Sequence, residues 1–278
     1  MNIFSEANYK EFKDAIRSKD HKKIEETIVY QVFVRMLERK NDFIITIGGD
    51  DTIYYRARIM DKTGIENVIT YDEATNVVCG YDIYGSREAP FGSTFNGRNN
   101  IAGMSFMYMA LDPFVACAEV YPRNECLISL AEFKIINKLN VVDLSKDASI
   151  IPLKDDKDHP IVVNVSEILT ACMETFCLPV SDGDYYVTQY LSNLIRNYGF
   201  DGIIYKGFAT RGTNCTIFNC ASRNFKFMSS RVLYTPHPLL GIYDVSTGQE
   251  LPRPQVPIKS RMEQIIEYAR CREKQNKI

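Results

Sequence analysis

The chain has 278 residues, of which 45% are hydrophobic and 24% are charged, and its formal net charge is -2. This length suits one large domain or two small ones, and the composition is that of a globular protein. The near-neutral charge gives no indication of nucleic-acid binding, and no apolar stretch approaches the ~18 residues of a membrane span.

The N-terminal part of the chain has a helical pattern. Residues 5–40 contain no Pro or Gly, and apolar residues recur at every fourth position from Ile24 to Met36. This spacing predicts amphipathic helices, with Ser5 and Asp20 as the N-caps of two successive helices. We therefore expect residues 1–45 to form a helical N-terminal element beside the main domain. The start of the chain lacks the apolar core of a secretory signal. The chain's eight scattered cysteines suit reduced thiols, so we expect a cytoplasmic protein.

The next segment predicts a strand followed by long loops. "TIYYRAR" (residues 52–58) is β-branched and aromatic, and its Arg56 and Arg58 alternate, so both lie on one face of the strand. Two arginines in this arrangement suit phosphate binding, although a solvated strand face explains them as well. Residues 61–100 are rich in Gly, Asn, Asp and Pro, and loops of that length in a compact domain favour a binding function.

The remaining elements predict an α+β fold. Asp112 and Pro113 begin a helix, "DPFVACAEV", and Gly199 ends a second one, "DYYVTQYLSNLIRNYG". Five strands are predicted, with the sequences "CLISLAEFKI", "LNVVDL", "DGIIY", "NCTIFN" and "NFKFMSSRVLY". Residues 145–185 are mixed, and a proline-rich segment leads from about residue 236 into a polar last helix.

Two features of the middle of the chain suggest a binding site. The turn "GRNNIAG" (residues 97–103) carries Arg98 and Asn99 between glycines, where backbone amides can approach a ligand, although an ordinary turn is the simpler explanation. Tyr108 and Glu119 bracket an apolar segment, and an acid at the end of such a helix lies either at an exposed edge or in a cleft.

Together these motifs resemble a known family. "YYRAR", "GRNNIAG", "MYMALDPFVACAEV" and "DYYVTQYLSNLIRNYGFDGIIYKG…TNCTIFN" resemble, in this order, the RES domain, which is named for conserved Arg, Glu and Ser. The family includes toxins of bacterial toxin–antitoxin pairs that degrade NAD. The resemblance implies a fold similar to the ADP-ribosyltransferases, with a mixed β core and flanking helices, over residues 46–235. Residues 236–278 then form a C-terminal segment.

The resemblance also implies roles for individual residues. Its catalytic residues match Glu119, Arg56 and Tyr108. The residues that bind NAD match Arg56, Arg98, Asn99 and Tyr108. We add Arg58, which shares a strand face with Arg56, and Asn214, which lies at a strand end. The serine of the family is replaced by Gly207, and we consider Thr210 or Thr213 as its substitute. Lys206 and Arg211 lie in the same loop and are further candidates.

The implied activity is cleavage of the nicotinamide–ribose bond of NAD, with phosphate or water as acceptor. Such a reaction passes through an oxocarbenium-like state that a carboxylate can stabilise. Alternatives are ADP-ribosylation of a macromolecule, or a degenerate member that only binds NAD or a partner. An antitoxin protein and a second copy of the chain are the partners considered. No metal is expected, because the three histidines and the scattered cysteines lack ligand spacing.

Overall fold

The computed structural model describes residues 3–38, 43–60, 70–120, 122, 124–145, 171–176, 185–207, 210, 212–236 and 241–253. The helices are α1 (Ile3–Ser18), α2 (His21–Glu26), α3 (Ile28–Glu38), α4 (Ile83–Ser86), α5 (Pro113–Glu119), α6 (171–176) and α7 (Tyr186–Asn197). The strands are β1 (Ile44–Ile47), β2 (Ile53–Ile59), β3 (Thr70–Asp72), β4 (Val77–Cys79), β5 (Met107–Ala110), β6 (Cys126–Ile135), β7 (Leu139–Asp143), β8 (Gly202–Lys206), β9 (Thr213–Ile217), β10 (Phe225–Thr235) and β11 (Tyr243–Asp244).

A mixed sheet of nine strands, in the order β1-β7-β8-β9-β5-β2-β6-β10-β11, forms the centre of the described part of the chain. Strands β7 and β8 are parallel, and the other neighbours in this sheet are antiparallel. Strands β3 and β4 form a separate two-stranded hairpin. The expected α+β class, with a mixed sheet and flanking helices, is confirmed.

The two faces of the sheet bury different apolar clusters. Val142 and Ile203 pack with α1, α3 and α7 on one face, whereas their neighbours Val141 and Ile204 belong to a cluster on the other face. Such alternation follows from the two-residue period of a strand. Helix α3 presents buried residues at the spacing that the sequence predicted, and it packs with α1 over the sheet. Three helices are therefore present near the N-terminus where two were expected, because the second is interrupted at Thr27, and β1 begins within residues 1–45.

The sheet parts between β2 and β5. These two strands pair at a single position, Tyr55 opposite Ala110. Helix α5 packs beside this point through Val115 and Cys117, which join Ala57 in a third apolar cluster. The position of α5 therefore places its last residue, Glu119, next to the gap between the strands.

Several local predictions are confirmed by hydrogen bonds. The Asp112 carboxylate accepts from the N–H of Val115 at 3.0 Å and caps α5, and Asp20 caps α2 in the same way at 3.2 Å. Gly199 has a φ of 86°, a left-handed conformation that favours glycine after a helix. All six predicted strands are present within two residues of their expected limits.

Other predictions are wrong. Ser5 is not a cap, because α1 begins earlier, at Ile3. Residues 61–100 are not loops throughout, since they contain β3, β4 and α4. The valines and the cysteine of β4 favour extended structure despite the turn residues around them. The polar C-terminal helix lies outside the described residues, as does most of 145–185. In the part of the chain that the structure describes, no helix is long and apolar enough to cross a membrane.

Candidate functional site

A cleft of about 540 Å³ opens where the sheet parts. Its walls are β2, the end of α5, the turn that carries Arg98, and strand β5. Six residues that the sequence singled out line it, namely Arg56, Arg58, Arg98, Tyr108, Glu119 and Asn214. The structure thus brings together residues that are far apart in the sequence.

A larger cavity, of about 860 Å³, lies beside the β3–β4 hairpin and β10. Its acids already have partners: Asp72 accepts from Thr75, Asp82 caps α4, and Glu132 accepts from Ser229. Because these acids already accept hydrogen bonds from other groups of the protein, the smaller cleft is the better candidate for chemistry.

Arg56 spans the gap between β2 and β5. Its Nη1 donates to the carbonyl of Tyr108 at 3.1 Å, where the ladder of main-chain bonds is missing. Burial, reinforced by the charge of Arg58, lowers the pKa of Arg56 to about 10. The guanidinium remains charged at neutral pH, and its Nε is buried without a hydrogen-bond partner among the described residues.

The other two arginines are held by their neighbours. Nη1 of Arg58 donates to the carbonyl of Gly85 at the end of α4. The Arg98 guanidinium stacks on the ring of Tyr185, with 5.4 Å between the guanidinium carbon and the ring centroid. Cation–π contacts of this kind fix the direction of a cation without neutralising it. Both side chains are therefore oriented at the cleft wall by contacts within the protein.

Tyr108 organises the Gly-Arg-Asn turn. Its hydroxyl donates to Oδ1 of Asn100 at 2.6 Å and accepts from the N–H of Asn99 at 3.0 Å. Burial raises the pKa of Tyr108, so the phenol stays protonated. Gly97 is required beside it, because a Cβ at that position would lie 3.0 Å from the Tyr108 oxygen and would overlap Asn100.

Helix α7 fastens the same turn from the opposite side. Nε2 of Gln189 donates to the carbonyls of Gly97 at 2.8 Å and of Asn100 at 3.0 Å. The hydroxyl of Thr188 donates to the carbonyl of Arg98. The turn is therefore held by side chains of β5 and α7, which leaves the Arg98 side chain to extend into the cleft.

Asn99 and Tyr205 form the buried floor beside the cleft. Nδ2 of Asn99 donates to the hydroxyl of Thr216 at 2.8 Å. Burial and the nearby Glu119 raise the pKa of Tyr205 to about 12. Asn99 itself is 1% exposed and lies behind the cleft wall rather than in it.

Glu119 lies at the end of α5 beside Asn214. Burial raises the pKa of the Glu119 carboxyl, while Asn214 and Arg98 oppose this effect. Its Oε1 is buried without a hydrogen-bond partner among the described residues, as is Nδ2 of Asn214. The carboxyl group is therefore partly desolvated and close to a positive charge.

Four of the buried polar atoms that lack partners in the described structure belong to this one region. Nε of Arg56, Oε1 of Glu119 and Nδ2 of Asn214 belong to residues that line the cleft, and Oδ1 of Asn99 lies behind its wall. Buried polar atoms nearly always have partners, because each unmade hydrogen bond costs ~1–3 kcal/mol. A cluster of such atoms around one cleft is typical of a site that binds a polar ligand.

The position of the family serine is occupied by Gly207, directly after β8. Neither threonine considered as a substitute lines the cleft. Thr210 accepts from the N–H of Gly212 at 3.1 Å, and Thr213 pairs with Lys206 in the β8–β9 ladder. Lys206 does not line the cleft either, and Arg211 lies outside the described residues.

Two tyrosines of the cleft were not singled out from the sequence. Tyr185 precedes α7, and Tyr205 is the fourth residue of β8. Tyr205 could have been identified, because a polar-tipped aromatic residue in an otherwise apolar strand requires a partner. The sequence did not indicate that Tyr185 lies in the cleft, because "YY" at the start of a helix is equally typical of core packing.

The sequence model described as the RES domain matches residues 80–237. The family match covers the motifs from residue 80 onwards and does not extend to residues 54–58, which carry Arg56 and Arg58. A solved structure, "Crystal structure of the M.tuberculosis MbcT-MbcA toxin-antitoxin complex", is similar at 13% identity, with a TM-score of 0.41. That match covers 76% of this chain and 96% of the other. No curated protein matches the chain.

Proposed function

The chain belongs to the RES domain family, and from this membership we propose that it is an NAD-degrading enzyme that cleaves the nicotinamide–ribose bond. The observation that carries the proposal is a cleft that holds a carboxylate and three arginines and whose lining has three buried polar atoms without partners among the described residues. NAD has the matching groups, namely a pyrophosphate dianion, hydroxyls, an amide and a cationic glycosidic centre.

The arginines account for recognition of the pyrophosphate. Arg56 and Arg58 lie on one strand, and their mutual repulsion contributes to the lowered pKa of Arg56. A bound dianion removes this repulsion and accepts hydrogen bonds from the planar guanidinium groups. Arg98, stacked on Tyr185, approaches from the other wall. NAD binding therefore relieves the repulsion between positive charges that the folded protein holds close together.

Glu119 accounts for the chemistry. The nicotinamide of NAD⁺ leaves as a neutral molecule, because it takes the electron pair of the C–N bond and thereby loses its positive charge. No acid is needed for that departure, and the positive charge that develops on the ribose requires a nearby anion. The ionised Glu119 carboxylate supplies it. Its partial desolvation strengthens the interaction, since charges attract more strongly where water is excluded.

The acceptor that completes the reaction is phosphate or water. Phosphate attack forms a C–O bond at the ribose and gives ADP-ribose 1″-phosphate with nicotinamide, whereas water gives ADP-ribose, nicotinamide and a proton. Transfer to a macromolecule uses the same cleft and the same leaving group. The family further supports a role as the toxin of a toxin–antitoxin pair, acting in the cytoplasm with an antitoxin as partner.

The test is incubation of the purified protein with NAD, with and without inorganic phosphate, followed by separation of the products. We expect nicotinamide release, and the second product identifies the acceptor. With NAD that is radiolabelled in its ADP-ribose part, label retained on protein would indicate ADP-ribosyl transfer instead. Binding of NAD by calorimetry without any turnover would identify a degenerate binding module and refute the enzymatic proposal.

The toxin role has a separate test. Induced expression in a bacterial host should stop growth and lower cellular NAD, and Glu119→Gln should restore both. Growth arrest that persists with Glu119→Gln at equal protein level would contradict a role for NAD cleavage in toxicity.

A further inference from the structure

Two glycines of the β8–β9 hairpin lie against helix α5. The N–H of Gly207 donates to the carbonyl of Gly212 at 2.7 Å, which closes the hairpin. Gly207 lies beside Glu119, and Gly212 lies beside Val115. Because positions four apart share one face of a helix, a single face of α5 rests on both glycines.

These two positions require glycine because there is no room for a side chain, and not because of their backbone conformation. Neither of them has a positive φ, so other residues could adopt the same backbone. A Cβ at Gly207, however, would overlap Oε1 of Glu119 and lie 2.7 Å from Nδ2 of Asn214. A Cβ at Gly212 would overlap Cγ2 of Val115 and lie 3.0 Å from its Cγ1. Any side chain at either position must displace α5 or its side chains.

We propose that Gly207 and Gly212 are positioning residues that form a side-chain-free support for α5, on which the Glu119 carboxylate is fixed at the cleft. Oε1 of Glu119 occupies the volume that a serine side chain at position 207 would take. Glycine here is thus a requirement of this chain and not a lost serine. The catalytic part of the inference rests on the proposed function.

The surroundings of the carboxylate agree with a fixed position. Gly207 is buried, and the side chain of Asn214 is 4% exposed beside it. The titratable or charged groups that act on Glu119 are Tyr205 and Arg98. Because Gly207 has no side chain, its backbone lies directly against Oε1, which is buried. This close contact contributes to the partial desolvation of the carboxylate.

The first experiment replaces Gly207 in the full chain with Ala and with Ser. We expect NAD turnover to fall about 10²-fold in both, since a displacement of ~1 Å of a catalytic group costs that much. We also expect the pKa of Glu119, measured by carbon-13 NMR of labelled glutamate and assigned with Glu119→Gln, to move down towards its ordinary value. Higher turnover in Gly207→Ser, or an unchanged pKa of Glu119 in both variants, would overturn the proposal.

The second experiment uses the other glycine and a matched rescue. Gly212→Ala should lower turnover and shift the pKa of Glu119 in the same direction, because its Cβ displaces Val115 and the helix with it. Val115→Ala in the same chain removes both methyl groups in conflict and should restore most of the turnover and the pKa. If the double variant recovered neither the turnover nor the pKa of Glu119, the proposed support of α5 by the glycines would be refuted. These variants decide the question even where those at Gly207 do not fold.

The two proposals fail in different ways. An inactive wild-type protein whose Glu119 pKa still responds to Gly207→Ala and Gly212→Ala would refute NAD cleavage and leave the support intact. An active wild-type protein in which neither substitution changes that pKa would refute the support alone.

Discussion

The guanidinium of Arg98 stacks on the ring of Tyr185, with the guanidinium carbon 5.4 Å from the ring centroid. Arg98 comes from the turn before β5, whereas Tyr185 immediately precedes α7. Gln189 of the same helix bonds the carbonyl of Gly97, next to Arg98. The start of α7 therefore sets both the backbone and the side chain of the arginine that faces Arg56 across the cleft.

Replacing Tyr185 tests whether the ring directs Arg98. Tyr185→Leu should raise KM for NAD about two- to five-fold with a smaller change in kcat, because a cation–π contact contributes ~0.5–1 kcal/mol at an exposed site. Tyr185→Phe retains the ring and is the matched control, with kinetics close to wild type. Equal effects of both substitutions would attribute the change to the hydroxyl and not to the stacking.

Glu119→Gln should abolish turnover without loss of NAD binding. Removal of one well-placed electrostatic group costs about 10²–10³ in rate, or ~2.7–4 kcal/mol, and the effect falls on the chemical step. Steady-state kinetics together with NAD binding by calorimetry measure the two quantities. An active variant would refute the mechanism.

In the wild type, kcat should rise with pH as the Glu119 carboxyl, whose pKa burial raises, becomes ionised.

Glu119→Gln should also alter stability in a pH-dependent way. Burial raises the pKa of Glu119 above its ordinary value of 4.5, so the folded state binds this proton more tightly than the unfolded state. The stabilisation that the bound proton of Glu119 provides is therefore complete below about pH 4.5, and it is lost as pH rises through the folded-state pKa. Glu119→Gln should melt like wild type near pH 4 and at a higher temperature near pH 8. If the melting temperature of wild type rose relative to that of Glu119→Gln with increasing pH, this expected sign would be wrong.

Arg56→Ala should weaken NAD binding. A hydrogen bond to a charged group contributes ~1.5–3 kcal/mol, so KM should rise about 10- to 100-fold, with a weaker dependence on salt than in wild type. Arg223→Ala makes the same change of charge at an exposed position in the 3-10 helix Ser222–Asn224 and is the control. Similar salt dependence and KM in the two variants would indicate that only net charge matters.

Tyr108→Phe should loosen the Gly-Arg-Asn turn. It leaves the N–H of Asn99 and Oδ1 of Asn100 without the hydroxyl, and each unsatisfied buried group costs ~1–3 kcal/mol. We expect a lower melting temperature together with a higher KM for NAD. Tyr84→Phe removes a hydroxyl from a side chain that is 84% exposed and should change neither. Unchanged stability of Tyr108→Phe would show that water replaces the hydroxyl.

Sequence patterns identified the elements with strong local signals. Strand β6 was predicted with both its limits, Cys126 and Ile135, because seven of its ten residues are apolar and no Pro or Gly interrupts them. Strand β5 was not predicted. Its four residues, Met107–Ala110, have no strong β propensity apart from Tyr108, and the long-range pairing with β9 stabilises them as a strand.

The site was predicted through residue types and their order, and its geometry was not. Arg56, Arg98 and Glu119 were selected as chemistry-bearing residues, but nothing local indicates that β2 and β5 pair only at Tyr55 and part beyond it. The roles of Gly207 and Tyr185 depend on contacts with α5 and Arg98, which a single sequence does not encode in any one segment. Such contacts appear only when distant segments pack together.

Strand β5 pairs with β9, so Tyr108 lies opposite Thr216, and Glu119 rests on the hairpin that begins at Gly207. On a ribosome, the segment with Arg56, Arg98 and Glu119 emerges first, and β9 follows roughly 5–20 s later at ~5–20 residues per second. In that interval the nascent chain carries the reactive groups but has no cleft in which they meet. The order of synthesis therefore delays assembly of the cleft until the C-terminal half of the domain has emerged.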